Sequence, residues 1–315
     1  GLALHRLDHI AFDIAAVTNI THEHLDFHGS IEAYWLAKAM LFERLDMEKG
    51  RAVINLDDEG ASAMIDHCGD LPITTYSAGE FRADLRATNT KLDRFGFQST
   101  LAVFGTEHRV VCPLLGGFNI SNSLCAIGVA LQAGVSLDTA LETLASPPVI
   151  SGRMAMIDEG QPFSVVVDYA HTPASLEKVL TLLRSLNPTG RLIVVSGSAG
   201  ERDIEKRPLQ GRVCARLADI SIFTNEDPRF EDPLAIINQI ADGAMAVGGI
   251  EAETVYRVED RAEAIELAMR LAGDGDTILL AGKGHERSII IGDEKKPWNE
   301  AEAARSAIRR LRMHV

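Results

Sequence analysis

Phe163-Ser164-Val165-Val166-Val167-Asp168-Tyr169-Ala170-His171-Thr172-Pro173 divides into an apolar half and a polar half. The β-branched, apolar half predicts a strand buried on both faces, as in a parallel sheet. The polar half delivers an acid, an aromatic and a histidine to the strand's carboxyl end, and Thr172-Pro173 then starts a helix. In open α/β sheets that edge is where ligands bind. Further strand-like runs at 191–196, 219–224, 253–256 and 276–281 alternate with helical patterns at 173–186, 207–217, 233–246, 261–272 and 299–312. Such alternation predicts a doubly wound α/β domain. Before the interruption at Pro147-Pro148, short strands at 13–18, 52–55 and 100–104 mix with helices at 31–45 and 121–132. Two domains are expected, 1–148 and 149–315.

The 315 residues are 46% hydrophobic, enough to bury a core in each domain. A formal net charge of −14 weighs against nucleic acid or an anionic membrane as partner, although a local basic cluster still suits a small anion. Cys68, Cys112, Cys125 and Cys214 stand singly, which predicts buried, reduced thiols. No run reaches the roughly 18 apolar residues of a membrane span and no basic-then-apolar leader opens the chain, so a cytoplasmic protein is expected. The first residue is Gly1 rather than Met, so a trimmed amino terminus or a fragment is also expected.

Several polar segments carry chemistry. Between His22 and His28 three histidines and two acids crowd seven positions, read from spacing either as a metal or phosphate-ester site or as a solvated loop. Ile31, Tyr34, Trp35, Lys38, Phe42 and Leu45 follow helical spacing, which puts Lys38 on an apolar stripe. There it either snorkels or, desolvated, exposes a reactive free amine. Asn55-Leu56-Asp57-Asp58 reads as an Asx-rich turn, and Gly117-Phe118-Asn119-Ile120-Ser121-Asn122 as a helix entry capped by Ser121 or Asn119. Arg153 in Gly152-Arg153-Met154 reads as a surface arginine, and Glu201-Arg202-Asp203-Ile204-Glu205-Lys206-Arg207-Pro208 as a solvated loop entering a helix. Glu226-Asp227-Pro228-Arg229 and Gly282-Lys283-Gly284-His285-Glu286 follow two of the predicted strands.

Taken in order, these segments resemble the Mur ligases, most closely the branch that adds the third amino acid to the UDP-N-acetylmuramoyl dipeptide. The resemblance runs over nearly the whole chain. It implies a truncated mononucleotide-binding central domain followed by a Rossmann-like, amino-acid-binding domain. The family's UDP-sugar domain and its G-x-x-x-x-G-K-[ST] phosphate loop have no counterpart in this sequence, so the chain is expected to begin partway through the central domain and to be inactive alone.

The resemblance also assigns roles. His24 matches a magnesium ligand, with Glu23 replacing the usual aspartate. Lys38, in Tyr-x-x-x-Lys with Tyr34, matches a carbamylated lysine beside magnesium. Asn119 and Asn122 fall near adenine, Arg153 at the nucleotide's phosphates, and Asp168 and His171 on the ATP side. Arg202 matches a ligand for the amino acid's carboxylate, and Gly282 and Glu286 belong to the pocket for its distal end, Glu286 receiving the distal amine. Where members that use meso-diaminopimelate show Asp-Asn-Pro-Arg, this chain has Glu226-Asp227-Pro228-Arg229. An ionised Asp227 repels a distal carboxylate and attracts an ammonium while Arg229 favours a carboxylate, so lysine or ornithine is expected over meso-diaminopimelate unless the two residues pair with each other and leave the pocket closer to neutral.

The implied reaction is ATP-dependent amide formation through an acyl phosphate, with ATP and magnesium as cofactors and the UDP-sugar dipeptide and a diamino acid as partners. A monomer is expected. The competing readings are another Mur-type ligase, for folate polyglutamate or cyanophycin, and a non-catalytic amino-acid-binding module.

Overall fold

The computed structural model describes residues 1–20, 25–93, 96–148, 150 and 152–313, which fall into two units, 1–148 and 149–315. In chain order, unit 1 contains β1 (Ile14–Val17), α1 (Leu25–His28), α2 (Ile31–Ala39), β2 (Arg51–Asn55), α3 (Ala61–Asp66), β3 (Ile73–Ser77) and β4 (Leu85–Asp93). It continues with β5 (Gly96–Val103), β6 (Thr106–Cys112), α4 (Phe118–Gln132) and α5 (Leu137–Ala145). The strands pair in chain order, parallel from β1 to β4 and antiparallel from β4 to β6. Tyr34, Ala39 and Met64 of α2 and α3 pack on one face against Val17 and Ile54, while Ile120, Leu124 and Leu144 of α4 and α5 cover the other against Val53 and Leu101.

Two sequence expectations change here. The helix read over 31–45 ends at Ala39, and beyond it the backbone around Leu45 pairs with Phe12, whose N–H donates to Arg44 O (3.0 Å) and whose O accepts from Asp46 N (2.9 Å). Phe42 and Leu45 are buried, but on a separate turn. Likewise α4 starts at Phe118, so Asn119 and Ser121 lie inside the helix rather than capping it.

Unit 2 contains β7 (Ala155–Ile157), β8 (Ser164–Asp168), α6 (Pro173–Leu186), β9 (Leu192–Ser196), α7 (Lys206–Leu217), β10 (Ile220–Phe223) and α8 (Pro233–Met245). β11 (Val255–Arg257), α9 (Arg261–Leu271), β12 (Thr277–Ala281), the hairpin β13 (Ser288–Ile291) and β14 (Glu294–Pro297), and α10 (Glu300–Met313) complete it. The main sheet has the order β11-β10-β9-β12-β8-β7, parallel except for β7 at its edge. α6, α7 and α8 cover one face and α9 and α10 the other, so β8, β9, β10 and β12 are buried on both sides. That double burial is why they read as continuous apolar runs.

The helix starts are encoded locally. Thr172 and Ser175 form a capping box with Pro173 in the first turn, Asp232 caps α8 before Pro233, and Asp260 caps α9. Cys68, Cys112, Cys125 and Cys214 are free and buried, and burial pushes the Cys214 thiol up to about 12. Among the described residues no helix is long and apolar enough to cross a membrane.

Candidate functional site

In unit 2 the chain proceeds from β9 to β10 to β11 along one half of the sheet, then returns to lay β12 on the other side of β9. In open α/β sheets a ligand crevice lies at such a reversal, at the carboxyl ends of the strands. That edge carries Asp168 at the end of β8, and Arg202, Glu226, Asp227, Arg229, Gly282 and Glu286 on the loops after β9, β10 and β12.

Asp168 acts as a clasp. One oxygen accepts from Met154 N (2.8 Å) and the other from Ala170 N (2.9 Å), tying the Gly152-Arg153-Met154 arch to the end of β8. The arch crosses the loop after β12 backbone to backbone: a Cβ on Gly152, at φ +69°, would sit 2.1 Å from Gly284 C. Only glycine fits there. The arch thereby holds the exposed Arg153 guanidinium over the Tyr169 ring, 4.7 Å from its centroid. Tyr169 also meets His171 edge-on at 4.7 Å, lies 5.2 Å from His285, and aims its hydroxyl at Glu286 (3.4 Å). Burial, then the nearby Glu286 and Glu226 carboxylates, raise its pKa. The His171 carbonyl accepts from Gln210 Nε2 at 2.6 Å. Arg153, Asp168 and His171 are therefore brought together around a tyrosine.

In the loop after β12 Lys283, 0% exposed, donates from Nζ to Asp227 Oδ1 (2.8 Å) and Glu286 Oε2 (2.6 Å). The same Asp227 oxygen accepts from Ile290 N at 2.9 Å. This corrects the expectation built on Asp227: its carboxylate is compensated by a buried cation, so it neither repels a carboxylate nor attracts an ammonium as a lone charge. Arg229 takes a left-handed φ of +55°, held by its N–H to Ile290 O (3.0 Å) and by Gly292 N to its own carbonyl (2.7 Å). Such a conformation is strained in a non-glycine residue and clusters at functional sites. The Arg229 Nε is buried with no partner among the described residues. Glu226 is 7% exposed, its Oε2 also lacks a partner, and burial raises its pKa against the pull of Lys206, His171, Arg261 and Lys283.

In the loop after β9, Arg202 is exposed and has no hydrogen-bond or ion-pair partner among the described residues. Arg207 is the anchored one, buried and bidentate to Glu231 (2.8 and 2.9 Å) with further bonds to Gln239 and Ala199 O.

Unit 1 carries the remaining candidates. Lys38 is exposed, with Nζ 5.2 Å from the Tyr34 ring centroid, which fits the snorkelling alternative and not the desolvated one. Asn119 donates to Leu115 O (2.8 Å) and accepts from Asn122 (3.1 Å), on the sheet face opposite Lys38's helix. Asp58 accepts from Ile20 N and Gly60 N, Asp57 from Ser77 and Ala78 N, and Asn55 donates to Thr18 O, so this signature braces the carboxyl ends of β1, β2 and β3. His24 lies outside the described residues. Among the described residues no three His, Cys, Asp or Glu converge on a metal position.

Sequence reasoning passed over Lys283 and Tyr169. A lysine between two glycines after a buried strand was a visible signal, and Gly282 at φ +105° shows why the turn needs one. Its partners, supplied by a different strand's loop, were not visible.

The Mur ligase middle domain profile matches residues 1–130, and the profile described as Mur ligase, glutamate ligase domain matches 152–284. UDP-N-acetylmuramyl-tripeptide synthetase of Roseiflexus sp. (strain RS-1) is 45% identical over 317 residues, covering 97% of this chain and 62% of that protein. UDP-N-acetylmuramoyl-L-alanyl-D-glutamate--2,6-diaminopimelate ligase of Streptomyces coelicolor (strain ATCC BAA-471 / A3(2) / M145) is 40% identical, covering 98% and 61%. A solved structure of a ligase with that same name aligns with a TM-score of 0.60 at 34% identity, over 99% of this chain and 63% of the other. A pseudomurein peptide ligase type C from Methanothermus fervidus shares the fold, with a TM-score of 0.71 at 19% identity, over 97% and 64%. The chain thus spans about six-tenths of the curated relatives it matches.

Proposed function

Because the chain belongs to the Mur ligase family, we propose that the protein joins a diamino acid to UDP-N-acetylmuramoyl-L-alanyl-D-glutamate in an ATP-dependent reaction, and that the amino acid is meso-diaminopimelate. The observation that carries the choice of amino acid is the Asp227–Lys283–Glu286 bridge, which ties the loop that bears Arg229 to the loop that bears Glu286. The half-buried Arg229, whose guanidinium has no hydrogen-bond or ion-pair partner among the described residues, suits a distal carboxylate, while the partly exposed Glu286 suits an ammonium. Asp227, compensated by Lys283, does not oppose this. Relatives 40% identical to the chain carry the name of 2,6-diaminopimelate ligases, which supports the same choice.

In this reading the γ-phosphate of ATP passes to the dipeptide's carboxylate, and the amino acid's α-amine displaces it. This chain's residues bind and orient: Arg202 holds the α-carboxylate, Arg229, Gly282 and Glu286 the distal end, and Arg153, fixed on Tyr169, the phosphates. Asn119, Asn122, Asp168 and His171 support the nucleotide side. Catalysis is then mostly positioning and charge neutralisation. Magnesium and a carbamylated Lys38 belong to the proposal, since only as a carbamate does Lys38 offer a metal an anionic oxygen.

The test is amino-acid-dependent ADP release and product mass with the full-length gene product, ATP, magnesium and the UDP-sugar dipeptide. The expected result is a kcat/KM for meso-diaminopimelate at least about tenfold above that for lysine or ornithine. Arg229→Ala should lower it about 100-fold, the worth of a charge-assisted hydrogen bond. A preference for lysine would overturn the choice of amino acid, and the absence of product with any diamino acid would overturn the ligase reading.

A further inference from the structure

Resting on that reading, we propose that Lys283 is a specificity-determining residue: its buried ammonium, bridging Asp227 and Glu286, is what lets a crevice with an aspartate at position 227 accept a distal carboxylate on Arg229. Lysine is among the residues least often fully buried, and Lys283 is 0% exposed. Its two partners come from different loops, Asp227 after β10 and Glu286 after β12, at 2.8 and 2.6 Å. The Ile290 N–H, from the hairpin that also holds Arg229's backbone, completes the clamp on Asp227.

The charges explain why the bridge selects substrate. With Lys283 present, Lys283 and Arg229 balance Asp227 and Glu286, and this balanced set matches the zwitterionic distal end of diaminopimelate. With Lys283 neutralised, two carboxylates outnumber Arg229, which matches the lone ammonium of lysine and disfavours a carboxylate. Glu226, buried beside Gly282, adds negative charge whenever it ionises and makes the cation more necessary. Lys283 contacts no reacting atom in this scheme; it sets the charge and holds one Glu286 oxygen.

The experiment compares wild type, Lys283→Met, Asp227→Asn and the double variant as full-length proteins. It reads the ratio of kcat/KM for meso-diaminopimelate to that for lysine, with circular dichroism to check folding. The wild type and Asp227→Asn should both prefer meso-diaminopimelate. Lys283→Met should shift the ratio about 100-fold toward lysine, and the double variant should recover most of that shift. A folded Lys283→Met with the wild-type ratio, or a double variant that recovers nothing, overturns the proposal. If Lys283→Met does not fold, the double variant decides. Folded and selective for meso-diaminopimelate, it upholds the charge argument; folded and selective for lysine, or itself unfolded, it refutes it. A wild type that prefers lysine or adds neither amino acid defeats the functional reading itself, whereas an unchanged ratio in Lys283→Met defeats only this inference.

Discussion

Glu226 concentrates the electrostatics of the crevice in one side chain. Burial raises its pKa above the ordinary 4.5, and the positive charge of Lys206, His171, Arg261 and Lys283 offsets that only in part. An acid whose folded pKa is raised holds its proton more tightly in the native state, so its contribution to stability is greatest below 4.5 and falls as pH rises toward the folded value. Glu226→Gln should therefore melt higher than wild type near pH 7, with the difference shrinking toward pH 4.5. Melting curves between those pH values check this, and a difference independent of pH would show that Glu226 ionises without penalty. Single residues were also where sequence reading was least secure. Asp227 is visible as a departure from Asp-Asn-Pro-Arg, but the compensating Lys283, 2.8 Å away, is not.

Two helices of unit 2 are stitched to the crevice by a buried ion pair. Arg261 at the start of α9 binds Glu300 at the start of α10 through Nε (2.9 Å) and Nη2 (2.6 Å), and donates to Asn225 O (3.0 Å) and Ala281 O (2.7 Å), the residues from which the loops after β10 and β12 depart. Trp298 Nε1 donates to the same Glu300 carboxylate at 2.6 Å. Removing one partner leaves an uncompensated buried charge, whereas replacing both with apolar groups of similar volume does not. Glu300→Ala should cost about 3–5 kcal/mol, and Arg261→Met with Glu300→Leu far less. Chemical denaturation of the three proteins measures this, and equal losses in both variants would refute it. At this scale unit 2 was legible because its signals are local: Thr172-Pro173 starts a helix, and buried apolar runs alternate with helical patterns. Unit 1 was less so. β3, β4 and β6 mix polar with apolar positions, and the stretch after α2 is shaped by Phe12, distant in sequence, pairing with Leu45.

Each unit has its own sheet with helices on both faces, and unit 2 buries two separate apolar clusters without borrowing from residues 1–148. Residues 149–315 alone should therefore fold and melt in one cooperative transition. Loss of near-ultraviolet circular dichroism with retained helix content would count against it. The α/β alternation, the helix start at Thr172-Pro173, the buried strands and the chemical type of the loops of unit 2 followed from the amino-acid sequence by itself, because each depends on residues within a few positions of one another. The partners of the charged side chains did not. Asp227 and Lys283 are 56 positions apart and meet because the chain returns from β11 to place β12 beside β9. Arg153 reaches Tyr169 because Gly152 and Gly284 let two backbones touch. Sheet order is set by the packing of whole helices and strands, so only the tertiary structure could decide which charge neutralises which.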